Sequence, residues 1–332
     1  MTRCAVIGAG AWGTAIADLL ARNGHEVVLW AHEPDVVAAV NARHENERFL
    51  RGVALHPALR ASGDPAEAAR GAALVCFVAP SHVLRAVAKR VAPGVGASAD
   101  CVVATKGIER ETLALMTDVV AAELPGRPVI ALSGPTFAAE VAARQPTAVV
   151  AASRDHEAAR RAQRALSSDS FRAYTSDDVV GVEMGGALKN VIAVATGIAE
   201  GLGLGYNPRA ALITRGLAEI TRLGVACGAK PLTFMGLAGM GDLVLTCTGA
   251  LSRNRAVGLE IGKGVPLEQA LAGRDTVAEG VVTTQSAHAL ARREGIEMPI
   301  IAAVHGILFE RQAPRAAITA LMTRELRAER DA

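Results

Sequence analysis

Over the first half of the chain, short runs with almost no polar side chain alternate with segments whose apolar positions recur at three- and four-residue spacing. The short runs are Cys4 to Ile7, Glu26 to Trp30, Ala73 to Ala79, Cys101 to Thr105, Val129 to Leu132 and Thr147 to Ala152. Helical spacing marks Thr14 to Ala21, the segment after Ser81 and Thr112 to Leu124, and Asn23-Gly24 closes the first of these. Near-continuous apolar strands separated by helices predict a largely parallel, doubly wound sheet covered on both faces. Beyond about Asp178 the strand pattern stops, and Val182 to Gly203 and Arg209 to Cys227 read as long helices. The expected organisation is an α/β domain over residues 1–178 and an all-α domain over 179–332. No repeat or low-complexity linker separates them, so close packing and a site between the halves are expected.

The first strand runs straight into Gly8-Ala9-Gly10-Ala11-Trp12-Gly13 and then a helix. A lone GxGxxG is a weak signal, but strand, glycine turn and helix in that order form the context a dinucleotide needs. Gly8 suits the tight turn, Gly10 lets the backbone approach a pyrophosphate, and Gly13 allows close helix packing, with helix N-terminal amides facing the phosphates. The first half therefore reads as a Rossmann-type dinucleotide-binding domain. After the second strand stands Ala31-His32-Glu33: Glu33 suits a ribose hydroxyl, whereas His32 with Arg43 or Arg48 suits a 2′-phosphate. The choice between NAD and NADP stays open.

Composition narrows the classes. A length of 332 residues exceeds what one core usually serves. Hydrophobic residues make up 51%, yet no stretch of about 18 apolar residues runs free of charge, so no integral membrane association is expected. The N-terminus passes at once into a strand, and a cytoplasmic location is the expectation. Cys4, Cys76, Cys101, Cys227 and Cys247 are odd in number and widely spaced, which suits reduced core thiols, and no metal site is expected. A net charge of +2 gives no nucleic-acid footprint.

Only five lysines stand beside thirty arginines. Lysine, unlike arginine, can lose its proton when desolvated. Lys189 lies in the apolar helical run Gly185 to Ala195 with Asn190 beside it, although a lysine in a helix commonly snorkels to the surface. Lys106 follows a strand, as do Ala79-Pro80-Ser81 and Ser133-Gly134-Pro135-Thr136-Phe137-Ala138, and strand ends are where such sheets bind ligands. In the helical half, the glycine-rich approach Gly236 to Gly241 leads to Asp242, placed to hold a buried ammonium. Ser252-Arg253-Asn254-Arg255 offers a hydroxyl, a bidentate fork and an amide, a set matched to phosphate oxygens.

Six of these blocks together resemble the bacterial-type NAD(P)-dependent glycerol-3-phosphate dehydrogenase family: Gly8 to Ala15, Lys106-Gly107-Ile108-Glu109, Ser133 to Ala138, Gly185 to Asn190, Gly239 to Leu243 and Ser252 to Arg255. The resemblance implies a helical domain of the 6-phosphogluconate-dehydrogenase-like type and interconversion of sn-glycerol 3-phosphate and dihydroxyacetone phosphate, for glycerophospholipid synthesis. It implies Lys189 as proton donor and acceptor, with Asn190, Asp242 and Thr246 orienting the lysine and the substrate hydroxyl. Ala11, Trp12, His32, Glu33, Lys106, Ala138, Arg253, Val277 and Glu279 fall on the family's cofactor positions. Lys106, Gly134, Thr136, Lys189, Asp242, Ser252, Arg253 and Asn254 fall on its substrate positions. Many members carry basic residues after the second strand, and Glu33 departs from that pattern. A homodimer is the candidate assembly. Two rivals are a hydroxyacid dehydrogenase, against which the phosphate-like cluster argues, and a dinucleotide sensor, which has no need of Lys189 and Asp242.

Overall fold

The computed structural model describes residues 1–273, 278–326 and 328–329. Eight strands, β1 (Arg3–Ile7), β2 (Glu26–Trp30), β3 (Arg60–Ser62), β4 (Leu74–Phe77), β5 (Asp100–Val103), β6 (Val129–Ser133), β7 (Thr147–Ala152) and β8 (Phe171–Ser176), form one sheet in the order β3-β2-β1-β4-β5-β6-β7-β8. The first six are parallel, and the strand order reverses between β1 and β4. That reversal opens a crevice at their carboxyl ends, beside the glycine turn.

The sheet is largely parallel, as expected, with one exception: β7 pairs antiparallel with β6, and β8 then pairs parallel with β7. The connection from β6 to β7 holds only a five-residue helix, Ala138–Ala142. At 1.5 Å per residue it rises roughly 8 Å, about half the length of a five-residue strand, so the chain never returns to the far edge and re-enters the sheet where it left. β3 and β8 escaped the sequence reading because both lie at sheet margins. β3 has three residues, and β8 alternates buried Phe171 and Ala173 with exposed Arg172 and Tyr174. The helix expected from Thr112 begins at Met116 instead. Arg85 and the Thr112 hydroxyl hold the Glu109 carboxylate, folding the chain back so that Ile108 bridges Leu115.

The antiparallel excursion places the next element. The 23-residue helix Val179–Gly201 starts behind the sheet, where Val182 packs with Ala131 of β6 and Ala152 of β7. One turn on, Gly186 passes the end of β6 so closely that a Cβ there would meet Ser133 Oγ at 2.4 Å. Lys189 follows on the same helical stripe, just beyond the strand ends. The rest of the helix is the axis of the second half, packed by Tyr206–Ala226, Arg253–Gly262, Glu279–Glu294 and Pro299–Phe309. Gly197 and Gly258 let it cross Arg253–Gly262 closely, since a Cβ at either would sit 2.1–2.2 Å from a carbonyl oxygen of the other helix. Among the described residues, the one helix long and apolar enough to cross a membrane is this buried axis.

Candidate active site

At the nucleotide end, the three glycines of the turn have different reasons to lack a side chain. Gly8 has φ +118°, and its Cβ would lie 2.9 Å from Ala79 N; a Cβ on Gly13 would lie 1.8 Å from Gly8 O. Nothing lies within 4 Å of the corresponding point on Gly10, which precedes the helix Ala11–Arg22. Gly8 and Gly13 thus serve internal packing and Gly10 faces open space. The helix start has no side-chain cap and no acidic residue in its first turn, so its amides and dipole are free for an anion. Trp12 Nε1, in the first turn of that helix, is buried without a partner in the protein. These features fit a dinucleotide diphosphate.

The sequence reading missed Asn46, which holds this turn in shape. It is 1% exposed, and its Nδ2 donates to Ala9 O at 2.9 Å and to Thr14 Oγ1 at 2.8 Å. Nothing in its polar surroundings marked it, because its partners lie 37 and 32 positions away. At the end of β2, His32 is exposed and Glu33 is half-buried. Arg43 pairs with Glu45 and Arg48 with Asp35, so acidic neighbours already engage both arginines.

At the other end, three segments converge on one carboxylate. Asp242 is fully buried; its Oδ1 accepts from Lys189 Nζ at 2.5 Å and its Oδ2 from Lys106 Nζ at 2.5 Å. Lys189 Nζ also donates to Thr246 Oγ1 at 2.7 Å, and Thr246 Oγ1 donates to Asp242 O at 2.6 Å. Lys106 Nζ reaches Gly134 O at 3.2 Å. Asp242 is set against the lysine helix by the π-helical turn Leu237–Gly241, since a Cβ on Gly185 would meet Ala238 O at 2.4 Å. Burial is the main reason the Lys189 ammonium loses its proton more readily than usual, at about 8; the Lys106 charge adds to this and Asp242 opposes it. An ammonium so poised is both a hydrogen-bond donor to a developing alkoxide and an acid near neutrality.

The remaining residues divide between the cleft and the scaffold. Ser252 caps the helix Arg253–Gly262 by accepting from Arg255 N at 3.3 Å, and Arg253 is exposed at that helix start. Asn254 donates to Asn190 Oδ1 at 2.9 Å and accepts from Gly280 N at 2.9 Å, so the two asparagines bind each other rather than Lys189. Arg255 pairs with Glu200 at 2.9 Å, inside the helical half. Glu279 reaches across to the end of β4, accepting from Ser81 Oγ at 2.6 Å and Ser81 N at 3.3 Å, and burial raises its carboxyl above the usual range. Thr136 Oγ1 donates to Gly134 O at 3.2 Å, and Ala138 opens the short helix after β6. Ser133 Oγ is buried without a protein partner. Val277 lies outside the described residues.

Residues 3–159 match the family model for the NAD-dependent glycerol-3-phosphate dehydrogenase N-terminus, and residues 178–319 match that for its C-terminus. The chain belongs to this dehydrogenase family. It is 55% identical over 329 residues to the glycerol-3-phosphate dehydrogenase [NAD(P)+] of Syntrophotalea carbinolica, covering 98% of this chain and 99% of that protein. The crystal structure of glycerol-3-phosphate dehydrogenase from Coxiella burnetii superposes with a TM-score of 0.94 at 42% identity, covering 97% of this chain and 99% of the other. The enzyme structure from Saccharomyces cerevisiae gives 0.82 at 27% identity over 96% of this chain and 98% of that one. The glycerol-3-phosphate dehydrogenase family is NAD(P)-dependent.

Proposed function

We propose that this NAD(P)-dependent oxidoreductase interconverts sn-glycerol 3-phosphate and dihydroxyacetone phosphate, with Lys189 as the group that gives and takes the proton. The observation that carries the reading is a buried ammonium held between Asp242 and Thr246 just beyond the carboxyl end of the sheet, with Lys106 on the other carboxylate oxygen. The bound nicotinamide supplies or removes the hydride. Lys189 stabilises the charge that grows on the carbonyl oxygen and then protonates it. Asp242 and Thr246 fix the direction of that ammonium, and Asn190 steadies the phosphate-side residue Asn254. Arg253, the Ser252 hydroxyl and the first amides of the helix Arg253–Gly262 take the phosphate, with Lys106, Gly134 and Thr136 on the sheet side. Binding energy from that dianion is then available to align the reacting carbon.

Gly8, Gly10, Ala11, Trp12, Gly13 and Ala138 line the dinucleotide path, Glu33 and His32 meet the ribose, and Glu279 approaches from the helical half. With dihydroxyacetone phosphate reduced, the product supplies a glycerophospholipid backbone. The test is loss of reduced-nicotinamide absorbance with dihydroxyacetone phosphate, using NADH and NADPH in parallel on wild type and Lys189→Ala. Oxidation abolished by the substitution supports the reading, and the faster cofactor identifies the ribose preference. No oxidation with either cofactor by folded wild type refutes it.

A further inference from the structure

We propose that Glu183, which lies outside the lysine cluster, is a positioning residue that clamps the Lys106 loop to the Lys189 helix and so sets the distance between the two ammonium groups. This rests on the reading of Lys189 and Lys106 given above. Glu183 sits six residues before Lys189 on the same helix and is buried, 8% exposed. Its Oε1 accepts from Thr117 N at 2.9 Å, and its Oε2 accepts from the Thr117 hydroxyl. Thr117 is the second residue of the helix Met116–Glu123, whose Leu115 cap position offers no side-chain acceptor. A carboxylate from the helical half therefore caps a helix of the α/β half.

That helix start and Lys106 belong to one closed loop. Ile108 bridges Leu115 in antiparallel fashion, and Lys106 and Thr117 each lie two residues outside this bridged pair. Ile108 and Leu115 are both buried in the apolar cluster that includes Met184 and Leu188 of the lysine helix. Two polar ties thus join the loop to the helix, Thr117–Glu183 and Lys106–Asp242–Lys189, with helix positions 183 and 189 separated by about 9 Å of rise. Two ties fix both the position and the tilt of the loop, whereas one leaves it free to pivot about the salt bridge. A buried carboxyl is costly to keep for packing alone, since an apolar side chain of similar volume fills such a place at less expense.

The test is a double-mutant cycle read by kcat for dihydroxyacetone phosphate reduction at saturating substrates. Glu183→Ala lowers kcat by about tenfold to a hundredfold, the scale of an ångström-sized misplacement. In a Lys106→Ala background the same substitution lowers it by less than about threefold, because the group it positions is gone. Glu183→Gln keeps a carbonyl for the Thr117 amide and stays within about fivefold of wild type. Amide exchange of residues 106–117 rises in Glu183→Ala while β1 stays protected. Fully multiplicative effects of Glu183→Ala and Lys106→Ala, an unchanged kcat, or exchange that rises equally in β1 would overturn the proposal and leave Glu183 a stabilising residue only. Where Glu183→Ala does not fold, Thr117→Val, which removes the hydroxyl and keeps the amide, takes its place in the cycle, and the same outcomes support or overturn the clamp. If folded wild type oxidises no cofactor, the functional reading fails, and the exchange experiment on that protein still decides the clamp.

Discussion

The glycine turn and the lysine cluster are built on opposite principles. At the glycine turn, residues 8–14 are contiguous, and the proposed recognition comes from backbone amides and from places where a Cβ is absent. At the lysine end, the contacts on Asp242 span 53 positions to Lys189 and 136 to Lys106, and the chemistry lies in side-chain charges taken out of water. On the proposed function the first holds the dinucleotide through shape that neighbouring residues dictate. On the same proposal the second poises a proton, and Lys106, Lys189 and Asp242 reach it from distant parts of the chain. The two should therefore fail differently: damage to the turn should appear as lost cofactor affinity, and damage to the bridge as lost turnover.

Lys189→Ala is the strongest test of that contrast. It should lower kcat by about a thousandfold through loss of the acid and of charge stabilisation. NADH affinity, measured by fluorescence titration, should stay unchanged; a parallel loss of affinity would break the distinction. With Lys189 as the proposed acid for ketone reduction, kcat/KM for reduction should fall as pH rises through about 8, and that for alcohol oxidation should rise through the same range. Asp242→Asn should cost about a hundredfold in kcat. It also removes the charge that favours the ammonium, so the reduction limb should move below 8. A pH profile that moves upward would contradict this assignment of causes.

Gly13→Ala should weaken NADH by at least about tenfold, because the added Cβ would lie 1.8 Å from Gly8 O and the turn must open. Melting temperature should fall with it. Gly10→Ala sharpens the comparison: its Cβ meets nothing in the protein, so stability should change by less than about 0.5 kcal/mol while NADH affinity drops. The smallest effect is expected for Trp12→Phe. Loss of one donor, Nε1, should weaken NADH about fivefold, in line with a single neutral hydrogen bond, and leave kcat alone.

Much of this was legible in the chain. The strand, glycine turn and helix were readable because each is enforced by adjacent residues, and Lys189 stood out because its helical run is otherwise apolar. Asp242 was marked as a partner for a buried lysine, and the structure pairs them. Other features left no local trace. Asn46 and Glu183 look like ordinary polar residues until their partners, 37 and 66 positions away, are brought alongside. Asn190 was expected to orient Lys189, yet its amide oxygen turns to Asn254 on another helix. Residues 112–115 were read as the start of a helix because their apolar positions kept helical spacing, whereas capture of Glu109 by Arg85 and the fold-back of Ile108 onto Leu115 decided the outcome.

By itself the sequence determined where a dinucleotide turn must form and which half is helical, because positions that exclude a Cβ and positions that must be apolar are imposed residue by residue. Tertiary structure alone decided that β7 runs backward, that the lysine helix consequently starts behind the sheet and delivers Lys189 past the strand ends, and that two ammonium groups share one carboxylate. Strand direction depended on how far a short helix reaches, and Lys189's acidity on how many atoms exclude water around it. Both are distances in space between segments remote along the chain, and no local pattern encodes them.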